Sequence, residues 1–281
     1  MADQAHRQEL AAFLRARRNR LKPADVGIPS GGRRRTPGLR REEVSQLTGV
    51  SVTWYTWLEQ ARNITVSRQV LDSLATGLKL DDVERQHLFA LAATPLPLSQ
   101  QTTSPSASLR RLLEVLNPHP AYLVSPSWDL LAWNDAEVGL IGDPERLPAP
   151  ERNIIRMMFA DTSLRRLLVN WRVQAASLLG QFRVDAGKYV GDPRFDQLSN
   201  ELCATSEVFR GMWDSHDVGG FGSTRWEFDH PRLGLLTVDY VRMAALDSPE
   251  IRLFTCMPAD ESTAAKLPAL LEEEAAEMYV G

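Results

Sequence analysis

Apolar residues between positions 39 and 60 recur at helical spacing in two short runs. The first run places Val44 and Leu47 on one helix face, and the second run does the same with Tyr55 and Leu58. Gly49 stands where the first helix must end, because glycine adopts the left-handed conformation of a helix C-terminus at little steric cost. The spacing therefore predicts two helices that are joined by a glycine turn and packed at a steep angle.

The outer face of the second predicted helix carries side chains that suit a DNA major groove, which admits one α-helix. Ser51 is the predicted N-cap of this helix. Trp54 either packs under the motif or lies on sugar and phosphate. An ordinary helical hairpin is the alternative, and the basic surroundings favour DNA binding. The candidate base-contacting residues are Val52, Thr53, Thr56 and Trp57.

Arginines surround this motif. The stretch from Lys22 to Gly38 contains three prolines and four glycines, which predicts a loop. Its arginine triplet suggests a phosphate clamp or a minor-groove arm, with a solvated charge run as the alternative. Arg41 begins the first motif helix and is expected to bind phosphate there. Arg17 and Arg18 are expected on a solvated helix face. The other candidates for backbone contacts are Arg33, Arg34, Arg35, Arg40 and Arg62.

Further helical patterns extend from Glu9 to Leu21, from Ser67 to Leu78 and from Asp81 to about Ala93. With the motif they predict an all-α domain of five helices over residues 1–93, which carries a net charge of +5. The rest of the chain carries −9, so the basic part suits a polyanion. Residues 94–108 have the composition of a linker. A second domain is predicted over 109–281.

The second domain begins and ends with strand patterns and is helical between them. Leu164 to Phe182 is predicted to form one helix face, and Asp192-Pro193 is predicted to open another helix. The order favours an α+β fold with a five-stranded antiparallel sheet and helices over one face, as in PAS domains. The predicted strands cover 121–124, 128–133, 224–228, 233–243 and 251–257, the helical part covers 153–213, and an acidic helix starts near 261.

Aromatic residues of this domain fall on inward or strand positions, where a core role is the usual one. A pocket for a small molecule would nevertheless be lined by some of them, since such sites are mostly apolar. Three polar residues near the Gly-rich break at 219–222 are candidates for a ligand head group. The candidate ligand-binding residues are Trp133, Phe159, Trp171, Leu178, Phe182, Phe209, Trp213, Phe228 and Tyr240, with Arg210, His216 and Arg225 as the polar ones.

Longer runs resemble known families. The run DVGIPSGGRRRTPGLRREEVSQLTGVS resembles Cro/repressor-type (XRE) helix-turn-helix regulators of actinobacteria. The runs AYLVSPSWDLLAWN, MFADTSLRRLLVNW and HPRLGLLTVDY resemble the ligand-binding domain of MmyB-like regulators, over roughly 107–260. The resemblance implies a PAS-like sensor, a pocket for a fatty acyl chain and a homodimer. It also leads us to expect a basic residue where Trp57 stands and a glycine where Ala61 stands.

Several other classes are disfavoured by the sequence. It contains no apolar run long enough for a membrane span, and its N-terminus does not resemble a signal peptide. Its two cysteines suit a reducing cytoplasm and lack a metal-ligand pattern. His216 beside Asp214, Ser215 and Asp217 is a weak catalytic constellation, and the common catalytic motifs are absent.

We therefore expect a cytoplasmic, homodimeric, sequence-specific DNA-binding transcription regulator and not an enzyme. Its expected partners are double-stranded DNA and an apolar effector, with no membrane. No cofactor or metal is expected beyond a bound fatty acid as effector. The alternatives are a constitutive DNA-binding dimer whose second domain only dimerises, or an enzyme fused to a DNA-binding domain.

Overall fold

The computed structural model describes residues 2–28, 38–93, 104–190, 192–215, 225–245 and 248–272. Its contacts divide the chain into two compact units that do not follow chain order. Unit 1 comprises Met1–Leu98, Leu179–Cys203 and Phe209–Gly220, and unit 2 comprises Ser99–Leu178, Ala204–Val208 and Phe221–Gly281. The helices of the first 93 residues therefore share unit 1 with two segments from much later in the chain.

Five α-helices lie in the described part of the first 93 residues, as predicted. Their apolar faces form one core that includes Phe13, Val44, Tyr55 and Leu74. The first helix starts well before Glu9, the predicted start. The helices are α1 (Ala2–Arg20), α2 (Arg41–Thr48), α3 (Val52–Glu59), α4 (Arg68–Gly77) and α5 (Asp82–Ala92).

The predicted helix end at Gly49 and the predicted N-cap at Ser51 are confirmed, and two further helices are capped by side chains. Gly49 ends α2 with a φ of +70°, the left-handed conformation expected of it. The Ser51 hydroxyl accepts a hydrogen bond from the Trp54 amide at 3.2 Å, and Ser67 caps α4 in the same way. Asp81 accepts from two amides at the start of α5. Each of these caps satisfies amides that the helix itself leaves unpaired.

Ala61 follows α3 with a φ of +55°, at the position where the family resemblance leads us to expect glycine. An L-residue with a side chain pays about 1–2 kcal/mol for this conformation, whereas glycine pays mainly a smaller entropic cost. We expect Ala61→Gly to raise the free energy of unfolding by up to about 1 kcal/mol, measured by urea unfolding. Gly49→Ala is the matched control. Its β-carbon would meet no atom within 4 Å, so the strain of the left-handed backbone conformation is the effect that remains, and the free energy of unfolding should fall. Stabilisation by both changes would contradict this account.

Unit 2 contains the predicted five-stranded antiparallel sheet, with strand order β2-β1-β5-β4-β3 among the described residues. Neighbouring strands pair in the register Tyr122 to Phe254 and Tyr240 to Cys256. The strands are β1 (Ala121–Val124), β2 (Leu130–Trp133), β3 (Arg225–His230), β4 (Gly234–Ala245) and β5 (Ser248–Pro258).

Helices occupy the chain before, between and after these strands. In α6, Leu113 packs against Leu123 and Leu253 on one sheet face. Trp128 packs against Phe254, whose ring centre is 5.7 Å away. The helices are α6 (Ala107–Leu116), α7 (Asp135–Ile141), α8 (Ile154–Ala160), α9 (Thr162–Leu167), α10 (Trp171–Lys188), α11 (Pro193–Thr205), α12 (Glu207–Asp214) and α13 (Glu261–Lys266).

The prediction of one continuous helix face from Leu164 to Phe182 is wrong. The chain leaves the helix between α9 and α10, where Leu168 forms a bridge with Phe228 of β3. The Val169 amide donates to the Glu227 carbonyl at 3.0 Å. Leu168 and Val169 therefore pair with the backbone of β3, an edge strand, and do not continue the hydrogen bonds of a helix. The helix that begins at Pro193 likewise ends at Thr205 and is followed by the separate α12.

Candidate nucleic-acid interface and ligand-binding domain

Helix α3 presents the outer face that the sequence predicts. Tyr55 and Leu58 are buried, whereas Thr53 is exposed. The Thr56 hydroxyl donates to the Val52 carbonyl at 2.7 Å, which leaves its oxygen able to accept a further hydrogen bond. The side chains of Val52, Thr56 and Trp57 are partly exposed around Thr53.

Two aromatic side chains of α3 have different surroundings. Trp54 packs against the hydrophobic core, so its position under the motif is the one observed. Trp57 lies partly exposed, and the guanidinium carbon of Arg62 lies 5.6 Å from its ring centre. Arg62 also donates to the Gln60 side chain at 3.0 Å. Trp57 and Arg62 therefore form one cation–π pair beside the exposed face of α3.

The buried carboxylate of Glu59, the last residue of α3, holds three helices together. Arg18 of α1 donates to its Oε1 at 2.6 Å, and Arg41 of α2 donates to its Oε2 at 2.6 Å. Arg18 also donates to the carbonyl of Leu39 at 2.8 Å, just before α2. This network fixes the C-terminus of α3 against the start of α2. The expectation that Arg18 lies on a solvated face is wrong.

Arg17 is likewise buried, contrary to the same expectation. It is 1% exposed, and its guanidinium donates to Glu84 of α5 at 2.8 Å. Arg20 donates to both oxygens of that carboxylate, at 2.5 and 3.0 Å. Because the Glu84 carboxylate is removed from water, it requires such partners. The sequence signal was present, since Glu84 interrupts the apolar face of α5.

The predicted phosphate contacts differ in what surrounds them. The Arg41 side chain is 43% exposed while it pairs with Glu59, so it lies at the surface near the start of α2. The Arg40 side chain is exposed, and its amide donates to Glu43 at 2.7 Å. Arg33, Arg34 and Arg35 lie outside the described residues, as does His216.

The candidate ligand-binding residues fall into two groups that belong to different units. In unit 1, the Trp213 ring centre lies 5.8 Å from that of Phe182 and 5.6 Å from that of Phe209. In unit 2, Phe159 and Trp171 pack edge to face at 6.0 Å. Phe228 and Tyr240 both pack against Trp226, at 6.3 and 4.7 Å. Two further candidates lie in unit 2: Trp133 of β2 is half-buried, and Leu178 of α10 is buried.

The two described polar candidates are engaged with groups of the protein. Arg210 is exposed and donates to the Cys203 carbonyl at 2.6 Å. Arg225 begins β3 and forms an exposed ion pair with Asp239 of β4 at 3.1 Å. Both side chains therefore have local partners at the surface of their own unit.

Sequence reasoning missed a buried polar cluster in unit 2. Glu137 of α7 is 1% exposed, one of its carboxylate oxygens has no hydrogen-bond partner, and burial raises its pKa to about 8. Burial also raises the pKa of Tyr122, Tyr240 and Cys256, and the nearby Glu137 carboxyl adds to each shift. At neutral pH the core of unit 2 therefore holds a carboxyl group that is mostly protonated. The sequence feature that indicates this cluster is Glu137 itself, the one glutamate among the apolar residues of α7.

The described residues were also searched for metal-binding clusters and for membrane-spanning helices. Within them, no group of three or more His, Cys, Asp or Glu side chains is placed to hold a metal ion. None of the helices described is both long and apolar enough to traverse a bilayer.

The fold and the α3 face define a helix-turn-helix protein with a second, α/β domain. A family model described as a helix-turn-helix domain matches residues 9–88. The family model described as the MmyB-like transcription regulator ligand binding domain matches residues 105–270, more than half of the chain. The chain belongs to this family, and it is a DNA-binding transcription regulator with a ligand-binding domain. No curated protein matches the chain.

Proposed function

We propose that this regulator binds its operator as a cytoplasmic homodimer and that an apolar ligand, such as a fatty acyl chain, controls its affinity for DNA. The observation that carries the DNA-binding part is the geometry of α3. Its exposed side holds Thr53, and its buried end is fixed by the Glu59 carboxylate to Arg18 and Arg41. A helix held rigidly in this way can read base edges in a major groove.

Base and phosphate contacts are assigned to different parts of this surface. Ser51, Val52, Thr53, Thr56 and Trp57 lie on or before α3 and face the bases. Arg40, Arg41, Arg62 and the triplet Arg33–Arg35 neutralise phosphates, because they surround the motif in the basic part of the chain. The Trp57–Arg62 pair takes the place of the basic residue that relatives are expected to carry at position 57.

Thr53→Ala tests the assignment of base contacts. We expect its preferred operator, selected from random DNA, to differ at one or two positions, with a loss of discrimination of about 1–3 kcal/mol there. The melting temperature should change little, because Thr53 is exposed. Thr76→Ala on α4 is the matched control, since Thr76 is also exposed and bonds its own helix backbone. Unchanged operator preference in Thr53→Ala would remove this residue from the base-reading face.

Dimer formation is supported by an exposed apolar surface in unit 2. The exposed fractions are 39% for Val241, 47% for Met243 and 40% for Met257, all on β4 and β5. A second copy of the chain that covers these side chains would bury them. Two recognition helices about 34 Å apart could then read successive major grooves. Light scattering of the full chain measures this oligomeric state.

The ligand proposal rests on the family of the 105–270 domain and on the apolar interior of unit 2. A buried acyl chain gains about 0.8 kcal/mol per methylene, so a dozen methylenes suffice for tight binding after ordering costs. The mostly protonated Glu137 supplies a neutral polar group inside this unit. This group suits an uncharged head group, such as an ester, better than an ionised carboxylate.

Titration of delipidated full-length protein with fatty acids and their methyl esters tests the ligand proposal. We expect saturable binding and a change in operator affinity of about 5- to 150-fold, the usual range of allosteric coupling. A ligand with equal affinity for both DNA-binding states would shift nothing. Binding with unchanged operator affinity would contradict regulation, and the absence of binding would favour the constitutive dimer.

A further inference from the structure

Unit 1 contains a cleft whose lining includes no residue of α3 and no residue of the five strands. It is formed by α1 and α5 of the DNA-binding helices together with parts of α10, α11 and α12. The space between its lining residues, counted together with the solvent at its open side, is about 430 Å³.

Aromatic side chains form the apolar wall of this cleft. Tyr189 and Phe195 stack with ring centres 5.7 Å apart and planes only 12° from parallel. Trp213 of α12 lines the cleft beside them. Three aromatic rings around one open space suit a flat apolar group, because aromatic faces pack well against other rings.

Two carboxylates from different helices also face the cleft. They are Glu9 of α1 and Asp196 of α11. Burial raises the pKa of Glu9, the Arg183 charge partly offsets this, and the Asp196 charge adds to the rise. Burial, with the charge of Asp192, raises the pKa of Asp196. The two carboxylates therefore repel each other, and a cation placed beside them would relieve that repulsion.

Arg183 is the cation of the cleft, and its charge is already used within the protein. It is 3% exposed, and its guanidinium carbon lies 4.1 Å from the Trp213 ring centre. It also donates a hydrogen bond to the Trp213 carbonyl. The lining also holds the two carboxylates of Glu9 and Asp196, so ionised carboxylates outnumber the guanidinium. With both carboxylates ionised, the net charge of these three groups is negative, so the cleft disfavours an anionic ligand.

We propose that this cleft binds a small organic cation with a flat apolar body, such as an arylalkyl amine. The ammonium group lies beside Glu9 and Asp196, and the ring packs against Tyr189, Phe195 and Trp213. An occupant of the cleft touches α1 and α5 directly, because Glu9, His87 and Leu91 are among its lining residues. The site therefore gives the DNA-binding helices a ligand contact that is separate from the sheet of unit 2.

Binding of such a cation has a definite pH dependence. The carboxylates of Glu9 and Asp196 attract the ammonium group only when they are ionised, so affinity rises with pH through their raised pKa values. The other titratable side chains that line the cleft are His87, Arg183 and Tyr189.

Calorimetry with three probes of similar shape tests the proposal on the full-length protein. The probes are 2-phenylethylamine, 2-phenylethanol and 3-phenylpropionate. We expect one equivalent of the amine to bind at least about tenfold more tightly than either other probe. Affinity for the amine should rise between pH 5 and pH 7.5, a range over which its own charge does not change. Equal or tighter binding of the carboxylate, or no binding of the amine at millimolar concentration, overturns the proposal.

Variants locate the binding in this cleft. Glu9→Gln and Asp196→Asn keep the shape of the side chains and remove the charges, so each should weaken amine binding about tenfold. Ser199→Phe fills the cleft from α11 and should abolish binding, with circular dichroism as the check on folding. Glu114→Gln on α6 is the matched control, since it removes an exposed acid outside the cleft. Amine binding that survives in all three cleft variants overturns the assignment of the site.

Discussion

Glu59→Ala is expected to lower the free energy of unfolding of the DNA-binding helices by about 3–5 kcal/mol, the cost of removing one partner from a buried ion pair. The Glu59 side chain is fully buried, and it accepts hydrogen bonds at 2.6 Å from both Arg18 and Arg41. Its removal leaves Arg18, whose side chain is 11% exposed, without its carboxylate partner in a site of low dielectric constant. Urea unfolding measures this loss.

Two further variants separate the buried pair from general charge effects. Glu42→Ala removes an exposed acid from the first turn of α2, so it should cost less than about 1 kcal/mol. Arg41→Ala should cost less than Glu59→Ala, because Arg41 is 43% exposed and Arg18 still neutralises the carboxylate. If Glu59→Ala and Glu42→Ala are equally mild, the network does not hold α3, and the DNA-binding proposal loses its rigid recognition helix.

The features predicted correctly from the sequence are those decided by neighbouring residues. Gly49 and Ser51 act on the two helix ends beside them, and the helical pattern that starts at Asp81 corresponds to α5 (Asp82–Ala92). The alternation of apolar residues in β3 and β4 sets which side chains face the core, and a slip by one residue would reverse it. The helix-turn-helix and the five-stranded sheet follow from such local patterns.

The features predicted wrongly depend on partners that are distant along the chain. Arg17 meets Glu84, 67 residues later, and Arg18 meets Glu59, 41 residues later. Glu84 interrupts the apolar face of α5, but a run of arginines on α1 does not show which distant carboxylate each of them meets. The break between α9 and α10 has the same origin, since Val169 bonds to Glu227 of the edge strand β3.

The candidate ligand site shows a third limit of sequence reasoning. Aromatic spacing identified residues on inward faces, but it did not show that Phe182 and Trp213 belong to unit 1 while Phe159 and Tyr240 belong to unit 2. One helix, α10, contributes residues to both units, 171–178 to unit 2 and 179–188 to unit 1. Periodicity cannot reveal such a division, because the helical pattern continues across it.

Gly139→Ala is expected to lower the stability of the ligand-binding domain by about 3 kcal/mol or more, through overpacking against backbone. Gly139 lies inside α7, where alanine would ordinarily stabilise a helix by about 0.5–1 kcal/mol. A β-carbon at this position would lie 2.0 Å from the carbonyl oxygen of Leu270 and 2.8 Å from its carbonyl carbon. Backbone cannot rotate away as a side chain can, so the 3-10 helix at Leu267–Leu271 must shift. The hydrogen bond between the Gly139 carbonyl and His230, 3.0 Å long, would be strained with it.

Gly211→Ala is the matched control for this change, because Gly211 also lies inside a helix, α12. Its β-carbon would meet no atom within 4 Å, so only the gain in helix propensity remains and stability should rise by about 0.5–1 kcal/mol. Thermal unfolding of the full chain, followed by circular dichroism, measures both variants. The two substitutions are chemically identical, so opposite signs isolate the contact with Leu270 as the cause. A stabilised Gly139→Ala protein would show that α7 and the Leu267–Leu271 segment do not pack as closely as the structure places them.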